Sequence, residues 1–349
     1  MAGVETDKVL QPRRQVLFNP GPVNLAAVIK DNLFNVELCH RQPEFDVLVA
    51  SVRARLASIL GFDPRTYHLS LLHGSGSLAV QAALSSLVRG RVLVVRNGVY
   101  GDRIADTLRQ LPDTDVEVLE YRTGEPVDLY QIDELCNSRP IEWVAIVHHE
   151  TTTGLLNPLG PVSHITNAHG CKLIVDAVSS VGAHSVDVGA EAVCFNSSKC
   201  LESLPGIGAV AWKADLPVYP TLGVLDVSAY AAGMPTTPNV QAFVALDIAL
   251  DLMAGEDRPA RYYRLAGHVW HSGSRWFDPL LPEVHRSNVL TSFLLGGRDP
   301  DKLFEQALKH GFVIYPGQGE LRSQIFRVAN MGAAIDADVI DDLFKVLAQ

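Results

Sequence analysis

Two residues of this chain have types and a spacing suited to covalent chemistry. The apolar run Leu173-Ile174-Val175 ends in Asp176, and 23 residues later Lys199 lies in the polar segment Asn196-Ser197-Ser198-Lys199-Cys200. An acid and a lysine at the ends of two apolar segments can serve pyridoxal phosphate. The lysine amine forms a Schiff base with the aldehyde, and the acid keeps the pyridine nitrogen protonated so that the ring accepts electrons. Either residue alone has a commoner explanation, as an Asp that caps a helix or a Lys in solvent.

Other segments bear on that choice. Gly74-Ser75-Gly76-Ser77 closes an apolar stretch and precedes a helical pattern over 78–87, so its backbone N–H groups and hydroxyls are candidates to hold a phosphate. The same composition is common in ordinary loops. Asn97-Gly98-Val99-Tyr100-Gly101 follows the strand-like run 92–95 and offers an aromatic face at a strand end, or else a turn with Tyr100 packed on the surface. His148 and His149 also follow an apolar run, but no third ligand stands at metal-binding spacing. Both are expected to be packed or hydrogen-bonded, with Glu150 a structural partner in the loop and no metal site. Asn19-Pro20-Gly21-Pro22 reads as a rigid turn.

Taken together, the segments His148-His149-Glu150-Thr151-Thr152-Thr153-Gly154, Val175-Asp176-Ala177-Val178-Ser179-Ser180, and Ser197-Ser198-Lys199-Cys200 with Pro205-Gly206-Ile207-Gly208 resemble the class V, fold-type I aminotransferases. The resemblance runs in the family's order from about residue 19 to the end. Within the class, Phe312-Val313-Ile314-Tyr315-Pro316-Gly317 and Phe326-Arg327-Val328-Ala329-Asn330-Met331-Gly332 are most similar to the phosphonate transaminases. The resemblance implies transfer of an amino group from 2-aminoethylphosphonate to pyruvate with pyridoxal 5'-phosphate. It implies Lys199 as the Schiff-base lysine, Asp176 as the partner of the pyridine nitrogen, Tyr100 stacked on the ring and Thr151 on its phenolic oxygen. Ser75, Gly76, Ser77 and Ser198 would hold the phosphate, together with Thr236 of a partner subunit. Arg327 would grip the substrate's acidic group through paired hydrogen bonds, and Asn19-Pro20-Gly21-Pro22 resembles the family's entry turn, whose backbone groups approach the substrate, with Asn19 near it. One segment departs from the phosphonate pattern. His40-Arg41-Gln42-Pro43-Glu44-Phe45 is closer to serine or alanine:glyoxylate aminotransferases, and Arg41 there is either a second anion contact or a partner of Glu44. Elimination of ammonia from a hydroxylated aminophosphonate is a further alternative.

The elements that must position these residues are legible as a pattern. Short apolar runs at 91–95, 116–121, 143–147, 172–175, 193–195 and 209–212 alternate with amphipathic stretches, which indicates a mainly parallel sheet covered by helices on both faces. Ligands of such sheets lie at the carboxyl ends of the strands, where Tyr100 and Asp176 fall. Beyond residue 238 the pattern turns helical at 240–253 and 261–277, followed by runs at 289–295, 312–315 and 325–329 around a helical stretch at 302–310. The expected organisation is an N-terminal segment 1–20, a large cofactor-binding domain 21–240, connecting helices 241–278 and a small C-terminal α/β domain 279–349. The resemblance implies the fold type I architecture, an α/β chain whose large domain carries a mainly parallel, seven-stranded sheet between helices.

Composition narrows the remaining classes. The 349 residues are 47% hydrophobic and 19% charged with a net charge of -10, enough for a substantial core and without a basic footprint for nucleic acid or membrane. The polar segment 1–15 lacks the apolar centre of a signal peptide, which makes the cytoplasm the expected location. The odd count of five cysteines points to reduced thiols, and Cys200 beside Lys199 is expected to fill space. Small amine and keto-acid substrates and a homodimer with shared sites are the expected partners. A nicotinamide dehydrogenase or a non-catalytic binding protein is the competing class. No Gly-x-Gly-x-x-Gly run follows the first strand, and the retained Lys199 and Asp176 argue against a dead module.

Overall fold

In a computed structural model, residues 15–349 are described. The segment 1–15 that was expected not to be a leader lies outside them, apart from its last residue. Seven strands of the described residues form one sheet: β1 (Tyr67–Gly74), β2 (Gly90–Arg96), β3 (Thr114–Glu120), β4 (Trp143–Val147), β5 (Lys172–Asp176), β6 (Ala192–Asn196) and β7 (Gly206–Lys213). Their spatial order is β1-β7-β6-β5-β4-β2-β3. Strand β7 runs antiparallel to both neighbours and the rest are mutually parallel.

Sequence explains why this sheet is covered on both faces. Side chains alternate along a strand, and here both sets are apolar. Leu93, Val95, Val144, Ile146, Leu173, Val175, Val193 and Phe195 enter one core with the helices Pro43–Leu60, Leu159–His169 and Val240–Ala254. Val92, Val94, Ala145, Val147, Ile174 and Cys194 enter a second core with the helices Gly76–Leu87 and Val99–Leu108. Crossovers of this kind bring every parallel strand's carboxyl end to one edge of the sheet. The segments after β1, β2, β4, β5 and β6 therefore meet there.

A smaller antiparallel sheet is ordered β8 (Leu290–Leu294), β10 (Ile325–Ala329), β9 (Tyr315–Pro316). It packs on a core that includes Phe277, Phe293, Phe326 and Phe344, and its middle strand carries Arg327. The apolar run expected as one strand over 312–315 is split. Phe312–Val313 pairs with Val16–Leu17, Ile314 turns inward, and Tyr315–Pro316 pairs with β10. The helix expected from 261 begins at Arg258, because the Asp257 side chain accepts from Ala260 N at 3.0 Å and a proline fits the first turn. Among the described residues no helix is long and apolar enough to cross a membrane.

Candidate active site

At the carboxyl edge of the large sheet lies a cavity of about 360 Å³, lined in part by Ser77, Tyr100, His149, Thr151, Asp176 and Lys199. Asp176 ends β5, and Lys199 follows β6 across the adjoining parallel pair. The sheet thus brings together the two residues that the sequence separates by 23 positions.

Burial governs both. The Lys199 amine is pushed down to about 8, first by loss of solvent and then by the Arg327 charge, with Cys200 and Asp176 opposing. Its Nζ donates to the Pro20 carbonyl. Gly21, at φ 113°, is a position that demands glycine, since a Cβ would stand 3.0 Å from Lys199 Cδ. The neighbouring Asn19 is buried, its Nδ2 donating to Pro22 O at 3.0 Å while its Oδ1 has no partner. Asp176 is pushed up to about 6 by burial, opposed by the Val178 N–H and by the charges of Lys199 and Arg103. Val178 N donates to one carboxylate oxygen at 3.0 Å. The other has no donor among the described residues, so it is available to a cationic N–H in the cavity, where it would remain ionised.

Another part of the cavity wall is the first turn of the helix Gly76–Leu87, which contributes Ser77, Val80 and Gln81. Ser75 caps it, its hydroxyl accepting from Leu78 N at 3.3 Å, which leaves the N–H groups of Gly76 and Ser77 to an anion. Gly76 is packed so closely that a Cβ would fall 2.5 Å from Val178 Cγ1. Ser198 Oγ accepts from Asn196 Nδ2 at 3.2 Å. A phosphate at this helix start and a ring nitrogen at Asp176 fit the donors and acceptors present.

Arg327 is 2% exposed and forms no ion pair among the described residues. Its Nε donates to Pro316 O at 2.8 Å and one Nη to Thr151 O at 2.8 Å, which aims the rest of the fork. Burial lowers its pKa, with Tyr100 and Glu150 opposing, yet a guanidinium stays charged. Tyr100 carries the Arg103 guanidinium 4.8 Å from its ring centroid. The expected packing of the histidines is present. His148 Nδ1 lies 2.9 Å from Ser180 Oγ, and His149 lies between Ser179 O at 3.1 Å and Ser287 Oγ at 2.9 Å. Burial pushes His149 down to about 3, so the ring is neutral, with Nδ1 donating to the carbonyl. Cys200 is buried against Ser179 O.

Of the candidates, Ser77, Tyr100, Thr151, Asp176 and Lys199 line this cavity, and Ser75, Gly76, Ser198, Asn19 and Arg327 stand behind that lining, whereas two others lie at a different cavity of the same chain. Arg41 and Thr236 line a second cavity of about 690 Å³ with His40, Arg53 and Thr237, and Arg41 is exposed with no ion pair to Glu44 among the described residues. Sequence reasoning did not single out Arg103 as part of the site, nor the contact of the Pro20 carbonyl with Lys199. Arg103 had a signal, since it stands three residues after Tyr100 and so on the same helical face. The Pro20 contact spans 179 positions, and only the resemblance of its turn to the family's entry turn placed that backbone near the substrate.

Comparisons with known proteins identify the family and the architecture. The family profile described as Aminotransferase class-V matches residues 31–257. A 2-aminoethylphosphonate--pyruvate transaminase of Bacillus cytotoxicus is 30% identical over 351 residues, spanning 93% of this chain and 94% of that one. Among solved structures, an alanine--glyoxylate aminotransferase from Nostoc sp. superposes with a TM-score of 0.90 at 22% identity, covering 100% of this chain and 99% of that one. A pyridoxamine-pyruvate aminotransferase from Mesorhizobium loti does so at 0.88 and 24% identity, covering 96% and 91%. At such identities these two structures speak to the architecture alone, which is fold type I.

Proposed function

The chain belongs to the class V aminotransferases and takes pyridoxal phosphate, and from that premise we propose that it transfers the amino group of 2-aminoethylphosphonate to pyruvate, leaving phosphonoacetaldehyde and alanine. The observation that carries this choice of substrate is the near full-length similarity to the Bacillus enzyme of that name. A buried arginine without an acidic partner among the described residues, suited to an anionic substrate, supports it.

When bound, pyridoxal phosphate supplies an aldehyde for the amine and a ring that draws electrons from the carbon beside it. In this reading Lys199 would hold the cofactor covalently, and its released Nζ would take the proton from the substrate carbon and deliver it to the cofactor's former aldehyde carbon, on the other side of the shared nitrogen. The depressed pKa of Lys199 favours the neutral base. Asp176 keeps the ring nitrogen protonated, Tyr100 covers the ring face and the Thr151 hydroxyl meets the phenolic oxygen. Ser75, Gly76, Ser77 and Ser198 take the phosphate, and Thr236 reaches it from a second copy. Arg327 holds the tetrahedral phosphonate in one half-reaction and the planar carboxylate in the other, since each presents two oxygens that a guanidinium grips in a pair of hydrogen bonds. Asn19 borders the substrate and Arg41 adds an anion contact from the second copy. Residues 21–240 form the cofactor-binding domain, 241–278 connect, and 279–349 form the small domain. The cytoplasm is the proposed location.

One observation favours a serine or alanine:glyoxylate reaction instead, the segment His40-Arg41-Gln42-Pro43-Glu44-Phe45. Because His40 and Arg41 line the second cavity, they bear on substrate only through a partner. A donor and acceptor matrix on cofactor-loaded protein separates the readings. The phosphonate reading predicts the highest kcat/KM for 2-aminoethylphosphonate with pyruvate, and Arg327→Lys losing about 100-fold because an ammonium cannot form the paired contact. A preference for serine or alanine with glyoxylate would replace the substrate and leave the cofactor chemistry standing.

A further inference from the structure

We propose that Glu150 is a positioning residue which, through Thr152, ties the aromatic wall of the cavity to the arginine that grips the substrate's acid. The proposal rests on the reading above, in which Tyr100 faces the cofactor ring and Arg327 faces the substrate.

The helix Val99–Leu108 starts without a side-chain cap, because its N-cap is Gly98. A helix leaves its first N–H groups unpaired, and here another segment meets them. Val99 N donates to Thr152 Oγ1 at 3.2 Å and Tyr100 N to Glu150 Oε2 at 3.1 Å. The second oxygen, Oε1, accepts from Thr152 N at 3.0 Å and from the Thr152 hydroxyl at 2.5 Å. The Thr152 hydroxyl thus donates to the carboxylate while accepting from the helix. Glycine at 98 makes the arrangement possible, since a Cβ there would stand 2.2 Å from Glu150 Cγ. A carboxylate at this end also suits the positive pole of the helix.

The residue between Glu150 and Thr152 is Thr151, whose carbonyl accepts from Arg327 Nη1 at 2.8 Å. Gly154 N closes the same turn on the Glu150 carbonyl at 2.8 Å. Glu150 and Thr152 are fully buried, so this turn has few ways to relax. Moving the carboxylate shifts Tyr100 on one side and the carbonyl that aims Arg327 on the other.

The test uses holoenzyme and ethylphosphonate, a probe with the acid and without the amine. Its binding is read from the cofactor's visible absorption, and the ring's setting from visible circular dichroism. Thr152→Val keeps the shape and removes the bridging hydroxyl. It should alter the dichroism and weaken ethylphosphonate about fivefold, as expected for one lost hydrogen bond, although Thr152 donates to neither ligand nor arginine. Thr152→Ser should restore both readouts. Gly98→Ala, which displaces the carboxylate from the opposite element, should reproduce both changes and serves if Thr152→Val does not fold. An altered dichroism with an unchanged ethylphosphonate affinity would confine Glu150 to the helix start and overturn the coupling. Wild-type holoenzyme that binds no ethylphosphonate would instead overturn the role of Arg327 and the reading on which the proposal stands.

Discussion

A lysine in water titrates near 10.4 and is almost wholly protonated at neutral pH, whereas burial brings Lys199 down to about 8. Capture of an aldehyde needs the neutral amine. Below pH 8 each added unit of pH raises the neutral fraction about tenfold, so the rate of cofactor attachment to apo-protein should climb with pH and level off above about 8. Stopped-flow absorbance on mixing apo-protein with pyridoxal phosphate checks this; a pH-independent rate below 8 would contradict it. Lys199→Ala should fold, keep the cofactor through its phosphate contacts, lack the visible band of the lysine-bound form and lose at least about 1000-fold in turnover. The placing of Asp176 at a strand end and of Lys199 three residues beyond another was legible from the apolar runs before them, whereas their proposed roles came from the family resemblance. Glu150 was legible only as a structural partner in its loop, since its contact with Tyr100 crosses 50 positions and depends on how two segments meet after folding.

The helix Gly76–Leu87 can start beside the cavity only because β7 lets it come close. A Cβ on Gly208 would stand 2.5 Å from the Ser75 carbonyl oxygen and 3.1 Å from Ala79 Cβ. Gly208→Ala should therefore push back the helix start, cost about 1–3 kcal/mol of stability and weaken pyridoxal phosphate binding, although residue 208 does not line the cavity. Denaturant unfolding and equilibrium dialysis measure the two effects. Lost stability with undiminished cofactor affinity would show that the helix start does not hold the phosphate. The inner strands of the large sheet were readable because both of their faces are buried, leaving continuous apolar runs, whereas β1 was not among the runs read as strands, since His68, Ser70 and His73 interrupt it. The split of 312–315 was not readable, because four consecutive residues, Phe312-Val313-Ile314-Tyr315, share apolar or aromatic character while their backbone partners lie at Val16–Leu17 on one side and in β10 on the other.

For the molecule as a whole, Thr236 and Arg41 line a cavity separate from that of Lys199. If they complete a site, a second copy must supply them, as in an isologous dimer. Sedimentation and assay at the same concentration should find a dimer as the smallest active species; a fully active monomer would remove both residues from the site. Only the family resemblance implied that arrangement, and the His40–Phe45 segment left the substrate open because it departs from the phosphonate pattern. The substrate is also where the account is most directly exposed. When cofactor-loaded protein is mixed with 2-aminoethylphosphonate and no keto acid, transamination predicts one phosphonoacetaldehyde per site, bleaching of the visible band, no free ammonia, and recovery of the band with one alanine per site on adding pyruvate. Release of ammonia without need of pyruvate, or no bleaching by 2-aminoethylphosphonate where serine or alanine bleaches it, would contradict the account.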